Sequence, residues 1–461
     1  MMGRTFTSTR EGAARLVPAT QRLRNMTISD LARMLIIPSH VPLALLMIQS
    51  PVIATAHALL VLSLGVWWAA ISTNLARVAY VGAYLTGAEI LWRMTGARVF
   101  WEYGKYAMIV VFALALIRAG RLKGPILAFL YFFLLLPSLV VPMASVGSAA
   151  MRNQVSFYLS GPLALMVSAW FFWRLRLTTS ELHSLFRSLI APVLGVAAIS
   201  LGWIVNATTL TFSNNSNFVT SGGFGPNQVS AALGLGALMA FLWAMTGSIS
   251  RGGRTILFAL ALFLLTQSAL TFSRGGLYMA IGGAIPATFF FIRDRRLRLQ
   301  LVSGIAALFL IFNFVLLPQL DEFTKGALSK RLTNTKLTGR DKLALADLKA
   351  FEENPLFGVG PGQAVTYYQK YSSAASAHTE FSRLLAEHGV FGLLALLTLL
   401  GMAVLNFRQA KSPPGKALVV SMVAWSFIFM TAAAMRLVAP SFCFGLTAAS
   451  LSPDDESHQK Q

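Results

Sequence analysis

The residues best placed to do chemistry begin with Thr271-Phe272-Ser273-Arg274-Gly275-Gly276, where a long apolar run stops, a guanidinium follows and two glycines open the next run. So tight a hairpin holds Arg274 at a fixed depth near one membrane interface, where a forked donor suits phosphate oxygens. The alternative for the same residue is snorkelling to lipid headgroups. A second arginine opens Thr338-Gly339-Arg340-Asp341, which reads as a helix start, with Leu343, Leu345, Leu348 and Phe351 as one apolar stripe and Asn354-Pro355 as its end. The stretch Leu356-Phe357-Gly358-Val359-Gly360-Pro361-Gly362 follows as a compact turn. No strand precedes it and no Gly-Lys-Ser/Thr completes a nucleotide loop. Tyr367, Tyr368 and Tyr371 then offer aromatic faces, either to sugar rings or to the bilayer interface.

From Ala377 to Gly389 the spacing predicts a helix entering an apolar run, with His378, Phe381, Ser382 and Leu385 on one face and Glu380, Arg383 and Glu387 on another. An imidazole at the start of such a helix reaches a substrate lying at the interface and takes a proton near neutral pH. Taken alone, His378 would read as an inert surface histidine. A last cluster, Glu89, Arg93, Arg98, Glu102 and Lys105, gathers at the ends of two further apolar runs. Its members either pair with one another or, with Glu89, Arg98 and Glu102 foremost, line an acceptor site.

The elements that must position these groups are membrane helices. Of 461 residues 56% are apolar and 12% charged, about half the charge of a soluble domain. That excludes a soluble enzyme and a disordered scaffold, and the lone Cys443 excludes a disulfide-stapled module. Apolar runs fall at 35–49, 52–72, 78–94, 103–118, 124–142, 155–173, 187–206, 226–246, 254–272, 275–292, 298–317, 388–406, 416–434 and 436–451. The expected fold is therefore all-α, a polytopic integral membrane protein of about 12–14 transmembrane helices with one large loop. The run 35–49 is broken by Pro38 and Pro42, 78–94 contains Glu89, and 436–451 follows Arg436 closely.

Fourteen runs place both termini on one side, and 23 of the 38 basic residues lie there. Six others, Arg93, Arg98, Lys105, Arg152, Arg274 and Arg436, lie in short segments opposite, and nine lie in 318–387, a segment too long for the charge rule to apply. The reading is a multi-pass protein with cytoplasmic termini. It divides into a basic tail 1–33, a helix bundle 34–317, an outer loop 318–387, C-terminal helices 388–451 and a tail 452–461. Eight of the 17 acidic residues fall in the outer loop. The net charge of +21 is spread over short inner loops and forms no single patch, so nucleic acid is not an expected partner. Residues 41–48 with Ala54-Thr55-Ala56 imitate a signal peptide, but the tail before them is too long for a leader.

Ser273-Arg274-Gly275-Gly276, Gly339-Arg340-Asp341, the run Asn354 to Gly362, and Ala377-His378-Thr379-Glu380-Phe381 before Glu387-His388-Gly389-Val390-Phe391-Gly392 occur in this order over roughly 220–410. In this the chain resembles the superfamily of O-antigen ligases and Wzy-type polysaccharide polymerases. The resemblance implies a GT-C-like glycosyltransferase of the bacterial inner membrane, active on the periplasmic face without metal or other cofactor. It implies an undecaprenyl-diphosphate-linked glycan as donor and a lipid-linked glycan or lipid A core as acceptor. Membrane lipids surround it, and a chain-length regulator is a further candidate partner. His378 would activate the acceptor hydroxyl or bind phosphate, Arg274 and Arg340 would bind the diphosphate, and Glu380, Arg383, Tyr367 and Tyr368 are accessory candidates. One departure favours polymerase over ligase: many ligases carry an arginine shortly before the Pro-Asn that corresponds to Pro226-Asn227, and 207–225 has none. A flippase would need polar groups strung along the spans, whose interiors offer little beyond His57 and Glu89.

Overall fold

The computed structural model describes residues 34–452 except 146–147, 248, 293–294, 335–339 and 370–378. The two tails, Thr338, Gly339, Tyr371 and His378 lie outside the described residues. The chain is a helix bundle, as expected. Its elements are α1 (His40–Gln49), α2 (Pro51–Ile71), α3 (Leu75–Met94), α4 (Tyr103–Arg118), α5 (Ile126–Phe133), α6 (Val140–Ser145), α7 (Ser148–Phe172), β1 (Arg176–Thr178), α8 (Thr179–Asn206), α9 (Pro226–Met245), α10 (Arg251–Leu270) and α11 (Gly275–Phe291). After these come α12 (Arg295–Ile311), α13 (Leu317–Phe323), α14 (Ala327–Thr333), α15 (Arg340–Glu353), α16 (Val365–Tyr368), α17 (Glu380–Gln409), α18 (Pro413–Ala432), α19 (Ala439–Leu446) and β2 (Ser450–Ser452). Among the described residues nine helices are long and apolar enough to cross a membrane, and α1 and α11 are shorter apolar helices.

Helix starts follow local chemistry. Asn74 caps α3 by accepting the N–H of Ala76 at 2.8 Å, Thr178 and Glu181 form a capping box on α8, and Pro51, Pro226 and Pro413 stand at first helical positions. The side chains that face outward are apolar, as on Leu59, Leu60 and Trp67 of α2, which suits a surface wetted by lipid rather than water.

The expected run 436–451 is not a spanning helix. Helix α19 has eight residues, about 12 Å of rise, and 433–438 before it are not helical. The chain nevertheless traverses the bundle, because β2 pairs in parallel with β1, Arg176 opposite Ser450, at the end remote from the loop. Unwound backbone inside a bundle needs protein partners in place of water. Two carboxylates supply them: Glu380 Oε2 accepts from Met435 N at 3.1 Å and Glu89 Oε2 from Val438 N at 2.8 Å.

Both ends of the loop segment 318–387 fall inside helices. Helix α12 runs through a π-turn at Phe312–Leu316 directly into α13, and α17 continues past 387 to Gln409 with a kink at Gly389 (φ 60°, ψ −138°). A small apolar core of Leu343, Ala346, Ala350, Ala364, Tyr368 and Ala386 sits under the loop helices.

Candidate active site

Helices α10 and α11 are joined by Thr271 to Arg274, and the residue that makes the turn is Phe272, at φ 57°. A phenylalanine in the left-handed region is strained and persists only where its surroundings hold it. Phe272 is buried and stacks on Phe212 with ring centroids 5.4 Å apart, and its carbonyl accepts Arg331 Nε at 2.9 Å. The two glycines expected to make this turn serve packing instead. A Cβ on Gly276 would overlap the carbonyl of Ser230, and one on Gly234 the carbonyl of Gly276, so α11 crosses α9 backbone to backbone. Ser230 ties the crossing to the turn: its hydroxyl donates to Ser273 O at 2.7 Å and accepts Gly276 N–H at 3.1 Å. Ser273 Oγ in turn donates to Asn227 Oδ1 at 2.7 Å.

Arg274 therefore sits on a braced corner, and the structure brings Arg340 to the same place. Together with Arg331, Asn227, Ser273, Tyr278, Asp341 and Thr379 they line a cleft of about 460 Å³. Through Asn227, Ser273, Gly275 and Arg340 it continues into a chamber of about 240 Å³ walled by Phe218, Met279, Phe429 and Arg436. Burial and the nearby Arg274 lower the pKa of Arg340; burial, Arg274 and Arg340 lower that of Arg331. Guanidinium groups stay charged regardless, so the lowering registers first the cost of burying these charges and then their mutual repulsion.

Four helices also begin at this cleft: α9 with Asn227 in its first turn, α11 at Gly275, α15 at Arg340 and α17 after its cap Thr379. Helix starts carry partial positive charge and unsatisfied N–H groups, and the cap residues of α9 and α11, Gly225 and Arg274, make no side-chain cap bond. Positive charge from side chains and backbone alike is thus gathered in one cleft.

The accessory candidates turn inward. Arg383 is buried between two carboxylates, Nη2 to Glu380 Oε1 at 2.5 Å and Nη1 to Glu387 Oε2 at 2.5 Å, the face expected from spacing. Tyr368 is buried and donates to Asp347 Oδ1 at 2.6 Å, while Tyr367 donates to Glu353 Oε2 at 2.5 Å; neither lines the cleft. Asp347, which sequence reasoning missed, also accepts Ser382 Oγ at 2.5 Å, and burial pushes its pKa up to about 6. The buried stripe of α15 is Leu343, Ala346, Asp347 and Ala350. Leu345 and Leu348 of the expected stripe are exposed, because steps of three and four from Leu343 land on 346, 347 and 350. Helix α17 starts at Glu380, with Thr379 accepting Ser382 N–H at 3.1 Å.

The glycine-rich turn and the Glu387-His388-Gly389 motif form one unit. Val359 N donates to Ala386 O at 2.8 Å and Val390 N to Pro355 O at 2.8 Å. Gly358 has φ 66°, and a Cβ there would strike the backbone at Glu387. His388 is buried, with Nδ1 2.6 Å from Ser138 Oγ. Of the remaining cluster, Glu89 is buried and pairs with Arg93 at 2.7 Å. Arg98 is exposed and Glu102 half-buried, and among the described residues no ion pair joins either to a partner. Arg331 went unnoticed in the sequence because no motif surrounds it.

Residues 256–397 match the sequence profile of the O-antigen ligase family. That segment, 142 of the 461 residues, is similar to the O-antigen ligase family. The match covers Arg274, Arg331, Arg340 and the first part of α17, so this segment supplies most of the cleft. Members of this family are glycosyl-transferring enzymes. The chain matches no curated protein.

Proposed function

We propose that this protein polymerises undecaprenyl-diphosphate-linked oligosaccharide repeat units at the periplasmic face of the bacterial inner membrane, for O-antigen or exopolysaccharide. The observation that carries the proposal is the cleft where Arg274, Arg331 and Arg340 meet four helix starts. In the reaction an acceptor hydroxyl attacks the anomeric carbon, the bond from that carbon to the diphosphate breaks, and undecaprenyl diphosphate leaves with the bonding pair. His378 takes the hydroxyl proton, with Thr379, its chain neighbour, on the cleft wall. Arg274 and Arg340 stabilise the charge growing on the leaving diphosphate, the part a metal ion plays in other glycosyltransferases.

The second reading is ligation of a finished glycan onto lipid A core by the same residues, and the description of the matched family favours it. The absence of Lys and Arg from 207–225 favours polymerisation. Purified protein supplied with lipid-linked repeat units separates the two: a polymerase produces a ladder of lengthening lipid-linked chains, whereas a ligase produces none and consumes the donor only when lipid A core is added. A folded His378→Ala variant that still made long polymer would remove His378 from the mechanism.

A further inference from the structure

Beside the cleft lies a second hollow of about 150 Å³, bounded by Glu89, Arg93, Phe100, Trp101, Tyr103 and Phe224. A single layer separates the two. Arg93 donates from Nη1 to Gln228 Oε1 at 2.8 Å and from Nη2 to Arg436 O at 3.3 Å, and both Gln228 and Arg436 line the inner chamber of the cleft. The chemistry on the two sides of this wall differs. The cleft lining holds Arg274, Arg331 and Arg340 beside Asp341, whereas in the hollow the charge of Arg93 is matched by Glu89 at 2.7 Å and most of the other lining residues are aromatic, with Ala97, Val99 and Gly104 among them.

Trp101 is 43% exposed and Phe100 55%, yet the indole is held in place: the Arg93 guanidinium lies 4.1 Å from its ring centroid and Phe224 lies 6.4 Å away. Rings that present apolar faces, with a few placed polar groups among them, match a pyranose, whose C–H faces pack on rings while its hydroxyls bond to carboxylate and guanidinium. Glu89 and Arg93 already bond within the protein, but a carboxylate has about four acceptor positions and a guanidinium five donors. The volume takes one sugar ring rather than an oligosaccharide.

We propose that this hollow is an acceptor-side sugar subsite, taking an uncharged pyranose of the acceptor glycan next to the sugar whose hydroxyl enters the cleft. The inference rests on the glycosyl-transfer reading above and adds where the acceptor binds and by what chemistry. The test uses two probes on the purified full chain: the repeat-unit oligosaccharide released from its lipid by mild acid, and undecaprenyl diphosphate alone. Trp101→Ala and Phe224→Ala are each expected to weaken oligosaccharide binding about tenfold and to leave undecaprenyl diphosphate binding unchanged. Trp101→Phe, which keeps a ring, retains oligosaccharide binding within a few-fold. Arg274→Gln shows the converse pattern.

Oligosaccharide affinity equal in wild type, Trp101→Ala and Phe224→Ala would overturn the subsite and leave these rings as interfacial anchors. So would an oligosaccharide that does not bind the wild type at all. Failure of undecaprenyl diphosphate to bind the wild type would overturn the donor reading instead, and is told apart because it leaves the oligosaccharide arm intact.

Discussion

In the cleft, Arg274, Arg331 and Arg340 share the walls with one acidic lining residue, Asp341. In the cluster at the head of α17, Arg383 lies between Glu380 and Glu387, and nearby Arg93 is matched by Glu89. The side chains are the same; the balance of charge differs. Matched guanidinium groups join elements: Glu380 and Glu89 each accept a backbone N–H from the unwound stretch 433–438 while holding their arginines. In the cleft three guanidinium groups gather where helices start, and together they make a positive field for a ligand to neutralise. Charge alone therefore says little about an arginine's role. The number of carboxylates within reach says more.

The contrast breaks most readily at Arg383. Arg383→Gln leaves two buried carboxylates without their cation, which is expected to destabilise the protein by about 3–5 kcal/mol, seen as a large fall in the thermal unfolding temperature in detergent. A wild-type unfolding temperature would show that the cluster is not structural. Arg274→Gln is expected to do the reverse. Transfer falls by roughly 10²–10³ while the unfolding temperature stays level or rises as repulsion on Arg331 and Arg340 eases. Equal loss of stability in both variants would erase the distinction.

Asp347 sharpens the comparison, being a buried carboxylate bonded to two hydroxyls, Tyr368 and Ser382. Its pKa is raised from 3.8 to about 6 by burial, so between those values the folded state binds the proton more tightly than the unfolded one. Its contribution is most favourable below about pH 4 and is lost as pH rises to about 6, on the order of 2–3 kcal/mol. Chemical denaturation from pH 4 to 7 measures this, and Asp347→Asn should flatten the profile. A smaller effect is expected at the kink that seats α17 on the turn. Gly389→Ala places a Cβ 2.5 Å from Leu356 O on a backbone with φ 60°, a loss of roughly 1–3 kcal/mol with any fall in transfer following the fall in stability.

Much of this was legible beforehand. The apolar runs foretold the bundle, and the order of motifs foretold the family match and drew attention to Arg274 and Arg340. Spacing alone placed Glu380, Arg383 and Glu387 on one helical face. The rest escaped for identifiable reasons. The turn at 271–274 reads as a glycine turn because glycine ordinarily supplies positive φ, yet Phe212 and Arg331 hold Phe272 there instead. The last run reads as a helix because composition registers burial, and burial here belongs partly to unwound chain clamped by carboxylates.

By itself the sequence determined the class of molecule: an apolar fraction of 56% with few charges has no stable arrangement outside a bilayer, and helices satisfy their own backbone there. It also determined local helix faces, which depend on residues three and four apart. Only the tertiary structure decided which charges are matched. Arg93 meets Gln228 and the carbonyl of Arg436, Glu89 meets Val438, and Arg331 meets Phe272. Whether a buried arginine is a brace or a binding group depends on neighbours that lie far along the chain and come together only when the helices pack.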